Sequence, residues 1–153
     1  MNVVNESAPE PTLMVFTGVG FFRRFGAIIY DSFLLLAVLF LAATSLLPFN
    51  AGEAVTSKII NTPYYLLVSF IFYGWFWTHR GQTAGLRTWK IRLKTLDGTP
   101  VTWKHALIRF LAALLSWGIG GLGFLWIVLD KNNHALHDHL SKTYLVFDDS
   151  KLE

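Results

Sequence analysis

The stretch RRFGAIIYDSFLLLAVLFLAATSLL, Arg23 to Leu47, is an apolar run opened by two arginines and interrupted by one aspartate, Asp31. From Phe25 to Leu47 it contains no proline, and no glycine after Gly26. At about 1.5 Å per residue this length crosses a hydrocarbon core of ~30 Å. Asp31 then lies about 10 Å along the helix from Arg24, inside the apolar zone. An acid at that depth costs about 2.5–3.5 kcal/mol on insertion scales, and such residues face a bundle interior. Arg24 and Asp31 are close to two helical turns apart, so they share one face, yet they stand too far apart for direct contact. A water, an ion or a third side chain could bridge them. Three roles are open to Asp31: half of a structural clamp with an arginine, a carboxyl kept neutral, or a cation or proton site.

Working outward, Pro48 and Asn50 end the first segment, and PFNAGEAVTSKIINTP (48–63) is a short link with one Glu and one Lys. A second segment starts near Ile59 or Tyr64 and ends at Trp77. Tyr64 and Tyr65 at one end and Tyr73, Trp75 and Trp77 at the other form the aromatic belts of a spanning helix. A buried helix of a soluble core is the plainer alternative, and a second long apolar helix so soon after the first argues against it. The third segment, Phe110–Leu129, is interrupted by GIGGLG (118–123). Glycine costs about 1 kcal/mol relative to alanine inside a helix, so this cluster predicts a break. Neither half then spans the core alone, and a re-entrant path becomes available. The alternative is a single crossing with the glycines kept helical.

Between segments two and three, residues 79–109 carry Arg80, Arg87, Lys90, Arg92, Lys94, Lys104 and Arg109 against Asp97 alone. Basic loops stay in the cytoplasm, which places the N-terminus and this loop there. The pI of about 9.3 therefore needs no nucleic acid; these residues meet anionic lipid head groups instead. Within the loop, Ile91, Leu93 and Thr95 alternate ahead of Asp97-Gly98, which predicts a β-hairpin over 89–103. Two strands alone are marginal, so Tyr144–Phe147 is expected to add a third.

Composition agrees with a membrane protein: 53% hydrophobic and 15% charged, against about 25% charged in ordinary soluble domains. There is no cysteine, so disulfide and thiolate chemistry are excluded. The first residues carry Glu6 and Glu10 and no long apolar core, unlike a cleavable signal peptide. GIGGLG has G-x-G-x-x-G spacing but follows an oily helix rather than a strand, so it is not a dinucleotide site. HALHDH (134–139) gathers three histidines and Asp138. A metal site is the weaker reading of it; an interfacial segment hydrogen-bonded to nearby backbone is the plainer one. No catalytic motif stands out, and no enzyme, cofactor or metal is expected. Arg109, at the entrance of segment three, is the best candidate partner for Asp31. Its plainer reading is snorkelling to the interface.

Three stretches resemble the RDD family of small bacterial membrane proteins: GFFRRFGAIIYDSFLL (20–35), GQTAGLRTWKIRLKTLDGTPVTWKHALIRFL (81–111) and LGFLWIVLDKNNHALHDHLSKTYLVF (122–147). The resemblance matches the family's arginine to Arg24, its two aspartates to Asp31 and Asp130, and its closing H-D element to Asp138. The family often has glycine before its final threonine; here Ser141-Lys142-Thr143 stands. The resemblance implies an inner-membrane protein, with cation–proton exchange proposed for some members.

The expected architecture is an all-α membrane protein of three hydrophobic segments with a small cytoplasmic β-hairpin. Residues 1–19 form a flexible tail, 20–147 the membrane domain, and 148–153 a C-terminal tail. Arg24, Asp31, Arg109, Asp130 and Asp138 are the candidates for a transport site or charge network. Three segments are too few to enclose a pathway, so a homo-oligomer or a larger membrane partner is expected. The function is transport of an ion or small solute, or, alternatively, assembly of a partner membrane complex.

Overall fold

The computed structural model describes residues 19–50, 57–118 and 135–148, with Gly120 and Trp126 between the last two stretches. In chain order the elements are α1 (Phe21–Ser45), a 3₁₀ turn (Leu47–Asn50), α2 (Lys58–His79), α3 (Ala84–Thr88), β1 (Ile91–Thr95), α4 (Trp103–Gly118), α5 (Leu136–Ser141) and β2 (Thr143–Phe147). Two helical stretches, Phe21–Phe49 and Lys58–His79, are long and apolar enough to cross a membrane.

The long helix α1 is patterned inside out. Its buried residues are Arg24, Ala27 and Asp31, at a spacing that forms one stripe. Its outer face carries exposed Phe22, Phe33, Leu36, Phe40 and Leu41. In water such a face would be a contiguous apolar patch of the kind that marks a membrane or partner surface. A helix whose polar stripe points inward and whose apolar face points outward suits lipid as its solvent. α2 packs against both α1 and α4. Phe70 packs edge-on against Trp103 and at a tilt against Phe110 across the α2–α4 seam, with ring centroids 5.8 and 5.5 Å apart.

A small layer joins the ends of these helices. β1 and β2 pair antiparallel, with Leu93 opposite Leu145 and Thr95 opposite Thr143. The expected alternation holds: Ile91, Leu93 and Thr95 are buried. Gln82 donates to Ile91 O at 2.9 Å and to Asp148 Oδ2 at 2.7 Å, and Arg92 pairs with Asp148 at 3.2 Å, which closes the sheet edge.

The 89–103 hairpin does not form. The turn after Thr95 leads into α4 rather than a second strand, and the partner of β1 is β2. Pro100 removes a ladder donor, and Ala106 N–H already bonds Thr102 O at 3.0 Å as the first turn of α4 winds up. Among the described residues the sheet therefore has two strands, not three.

GIGGLG does end a helix. α4 stops at Gly118, and Gly120 takes φ +72°, in the left-handed region. As a helix, α4 is about 24 Å long, short of the ~30 Å core. α5 packs back on α4, and Asp138 pairs with Arg109 within the first two turns of α4, so α5 lies near the start of α4. Asp130 lies outside the described residues, as does most of the segment after Gly118.

Candidate functional site

Asp31 is buried and, among the described residues, meets no arginine. Thr83 Oγ1 donates to its Oδ2 at 2.5 Å, and Gly85 N–H donates to its Oδ1 at 2.8 Å. Thr83 is the N-cap of α3, and its hydroxyl also accepts from Leu86 N–H at 3.2 Å. A carboxylate on a membrane helix thus caps the start of a short helix in the layer below. The orphan N–H groups of α3 gain an anionic acceptor, and the anion gains donors in place of water. Gly85 has to be glycine for this. A Cβ there would collide with Ala27 O and stand 2.8 Å from Asp31 Cγ.

The two arginines meet at Asp138 instead. Arg24 Nη1 bonds Asp138 Oδ2, and Arg109 Nη1 bonds Oδ1 at 2.5 Å. Asp138 Oδ2 also accepts from Ala135 N–H at 3.0 Å. Arg24 Nε donates to Val19 O at 2.9 Å, and Arg109 Nη1 donates to Thr143 Oγ1 at 2.9 Å. All three charged side chains are almost wholly buried. One carboxylate therefore ties α1, α4, α5 and the start of β2 together.

Electrostatics around Asp138 follow from this geometry. Burial pushes its carboxyl up, but the guanidiniums of Arg109 and Arg24 outweigh burial and hold it well below the usual carboxylate range. Next to it, burial pushes the His137 imidazole down to about 3, helped by the positive charge of Arg109. His137 is therefore neutral at physiological pH. Its Nε2 stands 3.6 Å from Asp138 Oδ1. Among the described residues no group of three metal-ligating side chains is gathered; His134 lies outside them.

Both networks border a cavity of about 690 Å³ between α1, α2 and α4. Its walls are mostly apolar, including Phe25, Ile28, Leu35, Phe110, Leu114 and Trp117. Arg24, Asp31, Tyr73, Thr83, Arg109 and His137 line its polar end. Arg109 also lies over the Trp77 ring, 5.4 Å from the centroid.

The structure brings Arg24, Arg109 and Asp138 into one network and sets Asp31 in another. The expected Asp31–Arg109 and Asp31–Arg24 pairings are absent among the described residues. Thr83, Gly85 and Thr143 are site residues that sequence reasoning passed over. The first two stand inside GQTAGLR, whose tight spacing of Thr and Gly before a helix was the available signal.

Two helices long and apolar enough to cross a membrane, with a buried Arg–Asp–Arg network beside them, have the character of a helical membrane protein. The RDD family model matches residues 19–142, and the chain belongs to the RDD family. No curated protein and no solved structure matches it.

Proposed function

We propose that this protein is a multi-pass protein of the bacterial inner membrane that moves a small solute or ion as an oligomer, with the cavity between α1, α2 and α4 as its binding chamber. The observation that carries the reading is the chamber itself: apolar walls running from membrane depth onto a buried charged end. Binding sites for small molecules typically enclose about 300–1,000 Å³ with mostly apolar walls and a few placed polar groups. Asp31 is the acid of that chamber, and Arg24, Arg109 and Asp138 set its charge. Cation–proton exchange is the form the family resemblance favours, and no catalysis is part of the reading. The N-terminus and residues 79–109 are assigned to the cytoplasm from their basic residues.

The deciding measurement is flux in proteoliposomes. Wild type should move the transported species, and Asp31→Asn should abolish or strongly slow it while the protein stays folded and assembled. Equal flux from both, or none from either, would remove the transport reading.

One observation favours a second function, that of an accessory or assembly factor. Asp31 and Asp138 both have their hydrogen bonds satisfied within the chain, as purely structural carboxylates would. Co-purification with one larger membrane complex at fixed stoichiometry, without flux, would support it.

A further inference from the structure

We infer that the cavity between α1, α2 and α4 holds one anionic phospholipid, with its phosphate at Arg109 and an acyl chain along the apolar wall. The inference deepens the reading of the cavity as a ligand chamber and names the class of ligand. It does not depend on transport.

Dimensions come first. Arg24 and Arg109 stand near the starts of α1 and α4, at the polar end of the cavity. From there the wall runs up α1 to Leu35 and up α4 to Trp117. Along the helix axes these distances are about 16 and 12 Å. Half of a ~30 Å hydrocarbon core is about 15 Å, one leaflet's acyl depth. The charged end thus falls at head-group level and the apolar wall at tail level.

Charge comes second. Asp138 takes two hydrogen bonds, one each from Arg109 and Arg24, and Arg109 gives a second bond to Thr143. Among the described residues, the hydrogen bonds of Arg109 leave from Nη1. Its Nε and Nη2 bond no described residue, although the side chain is only 6% exposed and lines the cavity. A guanidinium with unused donors in a desolvated wall is a phosphate-binding group. Asp31 lines the same cavity, but its oxygens are taken up by Thr83 and Gly85. Around Asp138 the two arginines leave one excess positive charge at the head-group end; the carboxylate of Asp31 stands about 10 Å further along α1.

Occupancy is tested by native mass spectrometry of delipidated protein in mild detergent. It is titrated with phosphatidylglycerol or phosphatidylcholine of the same chains, with and without excess inorganic phosphate. One phosphatidylglycerol should be retained about fivefold more tightly than phosphatidylcholine, the factor expected from one basic side chain. Inorganic phosphate should not displace it, because the acyl chain anchors the molecule. Leu114→Trp, which fills the apolar wall and leaves the charges untouched, should abolish that retention. Arg109→Lys should keep a cation and weaken the preference. Equal retention of the two lipids, displacement by phosphate, or retention unchanged in Leu114→Trp would each overturn the inference. Selective binding without flux would support the lipid site and overturn transport; flux without selective binding would do the reverse.

Discussion

At the scale of single residues, Asp138 matters most to stability. Removing one member of a buried ion network strands the others, at a cost of about 3–5 kcal/mol. Asp138→Asn leaves two guanidiniums without their shared carboxylate and should lower thermal stability in detergent more than Arg24→Gln does. Restoring neutrality in part, with Asp138→Asn plus Arg24→Gln, should be milder than the sum of the two changes. Strict additivity would mean that the three groups do not act as one unit. Lys142 offers an opposite test. It closes α5 at φ +51°, in the left-handed region, where an L side chain costs about 1–2 kcal/mol. The family's frequent glycine falls at this position. Lys142→Gly should raise stability by about 1 kcal/mol, read from the same melting curves. His137 sets the acid limb. Its folded value of about 3 lies below the ~6.5 of the unfolded chain, so the unfolded chain takes up the proton first. Its contribution is complete above about pH 6.5 and fades as the pH falls towards 3. Thermal stability should therefore decline between about pH 7 and 5, and His137→Gln should flatten that decline. Asp138 begins to lose its own contribution only as the pH falls through the ordinary carboxylate range, so the His137 effect is read above it, between about pH 7 and 5.

At the scale of elements, the pairing of β1 with β2 replaces a local hairpin with a contact between distant parts of the chain. Arg92 stands opposite Val146 in this register. Directly opposed Cβ atoms in an antiparallel pair lie about 4.5–5.5 Å apart, close to the reach of a disulfide. The chain has no cysteine, so Arg92→Cys with Val146→Cys introduces a clean pair. Mild oxidation should cross-link it, visible as a gel shift reversed by reductant. Arg92→Cys with Trp103→Cys, the pair that a hairpin turning at Asp97-Gly98 would bring close, should not cross-link.

For the whole molecule, the sheet constrains the path of the third segment. β1 precedes α4, β2 follows α5, and the two strands are hydrogen-bonded partners. A chain that crossed the bilayer once between them could not keep that pairing. The C-terminus should therefore share the side of residues 79–109. A single cysteine placed after Lys151 should resist a membrane-impermeant thiol reagent in intact spheroplasts and react after permeabilisation. Ready labelling in intact cells would show a single crossing.

Much of the fold was legible because its signals are local. The length and apolarity of Phe25–Leu47 follow from the thickness of a bilayer, and the helix break at GIGGLG follows from the backbone freedom of glycine. The Ile91–Thr95 strand shows in its alternation. Arg24, Asp31 and Arg109 stood out because a charge in or beside an apolar run has to be explained, and Asp138 through HALHDH and the family's closing H-D element. Which charge meets which was not legible. Arg24 and Asp31 share a helix face, yet 114 positions separate Arg24 from its carboxylate partner and 52 separate Asp31 from Thr83. Helical periodicity assigns a face but not the group opposite it. The hairpin failed for the same reason: Asp97-Gly98 is a sound turn, and the strand that pairs with β1 is chosen by the packing of α4 against α5. From the sequence alone came the solvent of each segment and the residues that need partners. The tertiary structure alone decided the partners, because a buried charge is satisfied by whatever the packed elements bring within hydrogen-bond distance.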